Sequence, residues 1–280
     1  MFCVGGDSHS PTGGAFGAYM FGIGATEMAG VLATGEIWIK VPETILIKWA
    51  GQTDAFVTAK DMMLATCAKI GMGGGRYQAI QYAGEAIHKL NMQERMTMSN
   101  MAAELGAQAG LISPDETTIE YLKSVNASIL DNWQNYQIEK PDLNGEVINL
   151  DASSLSPQIA APHSPENSAD VDDFKNISFD IAYIGACTGA KYADLIAAAS
   201  ILKNRKVSSN VCLKVAPASL RDQQRAEREG IMRILEDAGA EFLPNSCGIC
   251  AGYGSDRLLK EQVCISSTCL LYTSDAADEE

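Results

Sequence analysis

Apolar positions along the first half of the chain switch between the two-residue spacing of strands and the three-to-four-residue spacing of helices. Phe2-Cys3-Val4 reads as a short strand, and Gly5 to Ser10 as the loop that follows it. A helix of small residues is expected from about Ala15 to Thr34, closing at Gly35. Glycine weakens a helix interior, so those at 17, 22, 24 and 30 point to close backbone packing. Ile37, Ile39 and Val41, then Ile45, Ile47 and Trp49, alternate as two strands turned around Pro42-Glu43. Thr58, with Asp61 three residues on, caps a helix to about Ile70, and Gly71 to Gly75 breaks the chain. Asn91 caps a second helix running to Gly110, with Met98, Met101, Ala102, Leu105 and Ala109 on one face. Pro114-Asp115-Glu116 opens a short third helix.

From 140 to 176 the pattern dissolves into Pro, Ser, Asn and Asp, the best linker candidate in the chain. Strands and helices then alternate: strand 181–185, helix 191–203, strand 211–215, helix 219–238, strand 241–244. That order predicts an α/β fold with parallel strands. With 280 residues and 46% hydrophobic composition, the chain can bury two or three cores. No run approaches the roughly 18 apolar residues of a membrane span. A formal charge of −14 argues against a nucleic-acid or anionic-membrane surface. It does not exclude an anionic substrate, because a few local cations can clamp a carboxylate. No secretory signal is visible, in keeping with thiols in a reducing cytoplasmic setting.

Three cysteines stand out. Cys187 follows the strand at Ile181, and Cys247 and Cys250 form Cys-Gly-Ile-Cys after Phe242-Leu243-Pro244. Parallel strands of a β-α-β-α-β segment present the loops after them along one sheet edge, which can bring all three thiols together. Three thiolates without an obvious fourth suit a cluster or metal with one open position. A redox pair or half of a zinc site remains open on spacing alone. Cys3, Cys67, Cys212 and Cys264 lie in apolar stretches and read as core. Taken alone, Asp7-Ser8-His9 in a glycine-rich loop reads as a turn, and Glu104 as a solvated helix carboxylate.

Several motifs together resemble the large subunit of the aconitase and isopropylmalate dehydratase superfamily. They are Gly6-Asp7-Ser8-His9-Ser10, Ala59-Lys60-Asp61, Asn100-Met101-Ala102-Ala103-Glu104, Pro162-His163-Ser164-Pro165-Glu166-Asn167, Cys187-Thr188, and Cys247-Gly248-Ile249-Cys250-Ala251-Gly252. The resemblance implies aconitase-like three-layer α/β/α domains, incomplete at both ends. It divides the chain into the end of one α/β domain at 1–51, a smaller one at 52–140, a linker at 141–176, and a cluster-bearing domain at 177–268. It also implies reversible dehydration of a hydroxy di- or tricarboxylate. Cys187, Cys247 and Cys250 would hold a [4Fe-4S] cluster whose open iron acts as a Lewis acid. Asp7, His9 and Glu104 would be catalytic, and Ser8 and Asn100 would contact substrate.

The chain also departs from the family pattern. Family residues upstream of Gly6 and the arginine-bearing run after Thr268 are not found, and 269–280, with Cys269, reads as a non-native tail. A separate small subunit carrying the swivel domain is the expected partner, and little turnover is expected from the chain alone. Cys187-Thr188-Gly189-Ala190-Lys191 stands where isopropylmalate dehydratases carry Cys-Thr-Asn-Gly-Arg, exchanging planar donors for a point charge. A 3-isopropylmalate dehydratase-like large subunit is the favoured expectation. Homoaconitase-, aconitase- and dimethylmalate dehydratase-like enzymes are alternatives. So are a non-catalytic iron-responsive protein and a structural zinc site using the same thiols with His9 or His163.

Overall fold

A computed structural model of the chain describes residues 1–137 and 145–268. The tail 269–280, with Cys269, and the part of the linker at 138–144 lie outside the described residues. Internal contacts divide the chain into two compact units. Among the described residues, the first takes in Met1–Ala161 and Pro165–Val171, and the second takes in Pro162–Ser164 and 172–268.

In the first unit β1 (Phe2–Gly5) pairs in parallel with β2 (Tyr19–Gly22), and a 3-10 helix, Ser10–Phe16, connects them. The single helix expected over 15–34 is therefore divided. Left-handed Gly17 (φ 74°) ends the 3-10 segment, a strand intervenes, and α1 covers only Ala25–Thr34. β3 (Thr44–Ala50), α2 (Ala59–Ile70), β4 (Ala79–Ala83), α3 (Glu85–Lys89), α4 (Met92–Asn100), β5 (Ala109–Ile112), α5 (Glu116–Ser124) and β6 (Val147–Asp151) follow. The strands form one all-parallel sheet in the order β5-β4-β3-β6. Central β3 shows why the sheet is covered on both faces: Ile45, Leu46 and Ile47 are all essentially inaccessible. Each buried side chain of that size stabilises the core by about 1.5–3 kcal/mol.

Caps fall where the local sequence puts them. The Asp61 carboxylate accepts from Thr58 N and Oγ1, both at 2.7 Å, and Asn91 and Asp115 cap α4 and α5. The interiors differ more. Residues 37–41 form no strand, and Trp38 and Val41 are exposed. The helix expected to reach Gly110 stops at Asn100, passes through turns at 101–106, and gives way to β5. A short apolar run such as Ala109–Ile112 has no period that separates a buried strand from a helix. The described part of the linker, from residue 145, is regular as well. It supplies β6 to the sheet and an antiparallel hairpin of β7 (Gln158–Ala160) and β8 (Ser168–Asp170). Asp61 Oδ1 accepts from Gln158 N at 2.8 Å, which ties the hairpin to α2.

The second unit contains β9 (Ile181–Gly185), the single turn α6 (Ala186–Gly189), α7 (Tyr192–Leu202), β10 (Cys212–Ala216), α8 (Leu220–Arg228), α9 (Ile231–Ala238), β11 (Ala240–Phe242) and β12 (Cys264–Ser266). Left-handed Gly230 divides the helix expected over 219–238. The sheet order is β11-β10-β9-β12, all parallel. Strand alternation sorts two cores across it. Ala182, Ile184, Leu213 and Val215 pack with α7 and α9 through Leu195, Ala199 and Leu235. Ile181 and Tyr183 belong to a second cluster with Ile249, Cys250 and Leu258.

Candidate functional site

The chemistry-bearing residues fall into two groups, one in each unit, beginning in the first with the loop after β1. Asp7 Oδ1 accepts from His9 N at 2.7 Å, and Ser10 Oγ donates to the Asp7 carbonyl at 2.7 Å, closing a tight turn. The turn presents His9 to Glu104: Nε2 and Oε1 are 2.9 Å apart, with the Glu104 side chain 1% exposed. Ser8 Oγ stands 3.1 Å from His9 Nδ1. A buried carboxylate at Nε2 takes the ring proton there and leaves Nδ1 as the acceptor, fixing one tautomer. Asn100 Nδ2 donates to Thr12 Oγ1 at 2.8 Å, which donates to the His9 carbonyl at 2.6 Å. Asn100 therefore braces the loop from the end of α4.

All five selected residues of this unit thus lie in one neighbourhood. The carboxylate on the His9 ring is Glu104; Asp7 Oδ1 is 3.9 Å from Nδ1 and its side chain is 66% exposed. Glu104 is not the solvated helix carboxylate that its local sequence suggests, because α4 ends at Asn100 and the turns beyond bury it. Glu104 Oε2 is buried without a hydrogen-bond partner, an arrangement that costs free energy unless function retains it. An open groove lined by Phe21, Trp38, Pro42, Arg76, Tyr77 and Gln108 lies in the same unit, and none of the five borders it.

The second group gathers at the carboxyl end of the second sheet. β9 runs into α6, which carries Cys187; β11 leads to a 3-10 turn, Gly248–Ala251, with Cys247 at its start and Cys250 within it. Ala186, immediately before Cys187, adopts φ 60°, a left-handed conformation rare for a residue with a Cβ. Ser267 holds this turn. Its Oγ accepts from Gly185 N at 3.1 Å and donates to the Gly189 carbonyl at 2.8 Å, and its N donates to the Tyr183 carbonyl at 2.9 Å. A Cβ on Gly189 would collide with the Ser267 carbonyl, so glycine is required for that approach. Ser267 gave no sequence signal of its own.

Cys250 is buried, Cys187 partly so and Cys247 exposed, and no disulfide forms among the described cysteines. Tyr183 marks their convergence. Burial, then the thiols of Cys250, Cys247, Cys264 and Cys187, push its hydroxyl pKa up. Cys212, read from sequence as core, is exposed at the start of β10. Cys67 is buried in α2, and burial with Glu104 pushes its thiol up to about 12, fitting it for packing rather than ligation. Among the described residues no three His, Cys, Asp or Glu side chains group tightly enough for a single metal ion. A cubane spaces its thiolates more widely than one ion does, since each binds a different iron. Two hydroxyls at this sheet end, of Tyr183 and Thr188, are buried without partners. Three thiols with unpartnered donors around them suit a sulfide-bearing group better than a bare tetrahedral ion.

The aconitase (aconitate hydratase) family matches residues 1–177 and 171–272. The large subunit 1 of 3-isopropylmalate dehydratase from Archaeoglobus fulgidus is 40% identical over 270 residues, covering 96% of this chain and 63% of that protein. The methanogen homoaconitase large subunit of Methanocaldococcus jannaschii is 39% identical over 274 residues, covering 96% of this chain and 65% of its own length. This chain thus spans less than two thirds of the relatives it matches. Among solved structures, the holo-form of aconitase X from Thermococcus kodakaraensis superposes with a TM-score of 0.52 at 14% identity, over 89% of this chain and 57% of that one. That likeness bears on the fold alone and agrees with the parallel α/β sheets. The family match and the 40% identity leave one conclusion: the chain belongs to the aconitase family.

Proposed function

We propose that the chain is the cluster-bearing large-subunit part of a hydro-lyase acting on a hydroxy di- or tricarboxylate, with 3-isopropylmalate-type substrates favoured. The gathering of Cys187, Cys247 and Cys250 around Tyr183 at one sheet end carries this reading. Those thiolates would hold a [4Fe-4S] cluster. Bound there, the cluster would supply a Lewis acid at its one iron without a protein thiolate.

The rest of the work belongs to the chain's own side chains. Glu104 holds the Nε2 proton of His9, so Nδ1 can receive a proton and the buried carboxylate stabilises the resulting imidazolium. Ser8, exposed beside Nδ1, and Asn100, bracing the loop, would orient the substrate. Asp7 shapes the turn through the His9 backbone and places a carboxylate at its rim. The relatives named for isopropylmalate and for homoaconitate are almost equally similar, 40% and 39%. The chemistry the two names share, reversible removal of water from a hydroxy di- or tricarboxylate, defines the class. A small subunit bearing the swivel domain is the proposed partner, because the relatives are named as large subunits.

The test is iron and acid-labile sulfide after anaerobic reconstitution of the chain and of a Cys250→Ala variant. About four of each per chain, lost in the variant, is the expected result. Zinc without sulfide would refute the reading and leave a structural metal site.

A further inference from the structure

Tyr183 is a large polar side chain that the proposed chemistry does not use. It is 1% exposed in the middle of β9, and its hydroxyl has no hydrogen-bond partner. A buried hydroxyl left unpaired is destabilising, and a phenylalanine there would bury the same ring without that cost. Strand alternation turns Tyr183 away from α7 and α9 and into the cluster formed with Ile249 and Cys250. Its ring then folds forward along the strand over Gly185, whose missing Cβ makes the room: a Cβ there would collide with the ring and with the hydroxyl. Gly185 lies two residues before Cys187, so the hydroxyl sits where the strand end meets the Cys-x-x-Cys turn. All three candidate ligand thiols, and Cys264 from β12, lie within its electrostatic reach.

We infer that the Tyr183 hydroxyl donates a hydrogen bond to a sulfur of the bound cluster, either a ligand thiolate or an inorganic sulfide, and thereby sets its reduction potential. The inference rests on the cluster reading above. A donor at sulfur stabilises the more negative, reduced cluster and so raises the potential. Tyr183 is in this sense a positioning and tuning residue and not a catalytic one.

The experiment compares reconstituted chain with its Tyr183→Phe variant, which keeps the ring packing. Iron and sulfide are measured first, so a wild-type chain without a cluster refutes the underlying reading separately. With both proteins loaded, a redox titration followed by electron paramagnetic resonance should show the reduced form of the variant disfavoured about three- to tenfold. Tenfold corresponds to about 59 mV for one electron. Electron–nuclear double resonance of the reduced cluster should show a proton, exchangeable in D2O, that the variant lacks. Unchanged potential together with an unchanged exchangeable proton overturns the inference while leaving the cluster reading intact. A Tyr183→Phe chain that folds but fails to load overturns the tuning role, because the hydroxyl would then be needed to assemble the cluster and not to set its potential.

Discussion

Ser267 closes the turn that carries Cys187 with three hydrogen bonds, to Gly185, Gly189 and Tyr183. Its partners lie about eighty residues upstream, so no local pattern in the sequence announces them. Gly189 is the vulnerable member of this latch. Gly189→Ala must push the Ser267 backbone away, an overpacking cost of about 1–3 kcal/mol. The variant should melt lower without cluster and take up less iron per chain on reconstitution than the wild type. A normal melting temperature and full iron content would show that the latch does not position Cys187. The His9–Glu104 pair was legible in a different way. Nothing in the hydrophobic pattern marks Glu104, and only the Asn-Met-x-x-Glu motif singled it out. Which carboxylate meets the imidazole depended on the turn, because Asp7 is spent on the backbone of the same loop.

Among elements, the corner joining α3, α4 and α5 depends on one ion pair. Arg95 is wholly buried. Its Nε donates to the Leu90 carbonyl and its Nη2 to the His88 carbonyl, both at 3.0 Å, while Nη1 and Nη2 grip Asp115 at 2.6 and 2.7 Å. Asp115 also caps α5 through Thr118 N. Burial opposes its charge, but the Arg95 guanidinium, the Thr118 N–H and His88 outweigh that and hold the carboxyl below its usual value. Asp115→Asn leaves a buried cation without its counter-charge and should cost about 3–5 kcal/mol at pH 7 in urea unfolding. The pH dependence follows from the depressed value. The contribution is complete above the unfolded carboxyl value of about 3.9 and fades as pH falls through the folded one. The gap between wild type and variant should therefore narrow below about pH 4; a constant gap would remove the ionic explanation. The caps at Thr58, Asn91 and Asp115 were readable because capping is settled within four residues. β4 and β5 were not, because short buried parallel strands lack the two-residue alternation and pair with partners far along the chain.

At the scale of the whole molecule, the candidate chemistry is split between compact units. Asp7, Ser8, His9, Asn100 and Glu104 belong to the first and the three ligand cysteines to the second. The alternating α/β pattern after Phe179 made the second unit readable. The Pro-, Ser- and Asn-rich stretch hid a sheet strand and a hairpin, because composition alone does not reveal where a polar segment finds backbone partners. The division predicts where cluster binding should be felt. A ligand that binds only the folded form adds stability with its concentration relative to its Kd, and it adds most where unliganded backbone opens most easily. The candidates are α6, a single turn carrying Cys187, and the short 3-10 turn at Gly248–Ala251, which starts at the exposed Cys247. Hydrogen exchange on chain with and without cluster should show slowed amides at 184–190 and 247–252. The amides of Ile45, Leu46 and Ile47, already at the centre of the first sheet, should not change. Slowing spread evenly over both units would mean that loading stabilises the chain globally, and the thiols at the β9 and β11 ends would then not be the local binding site.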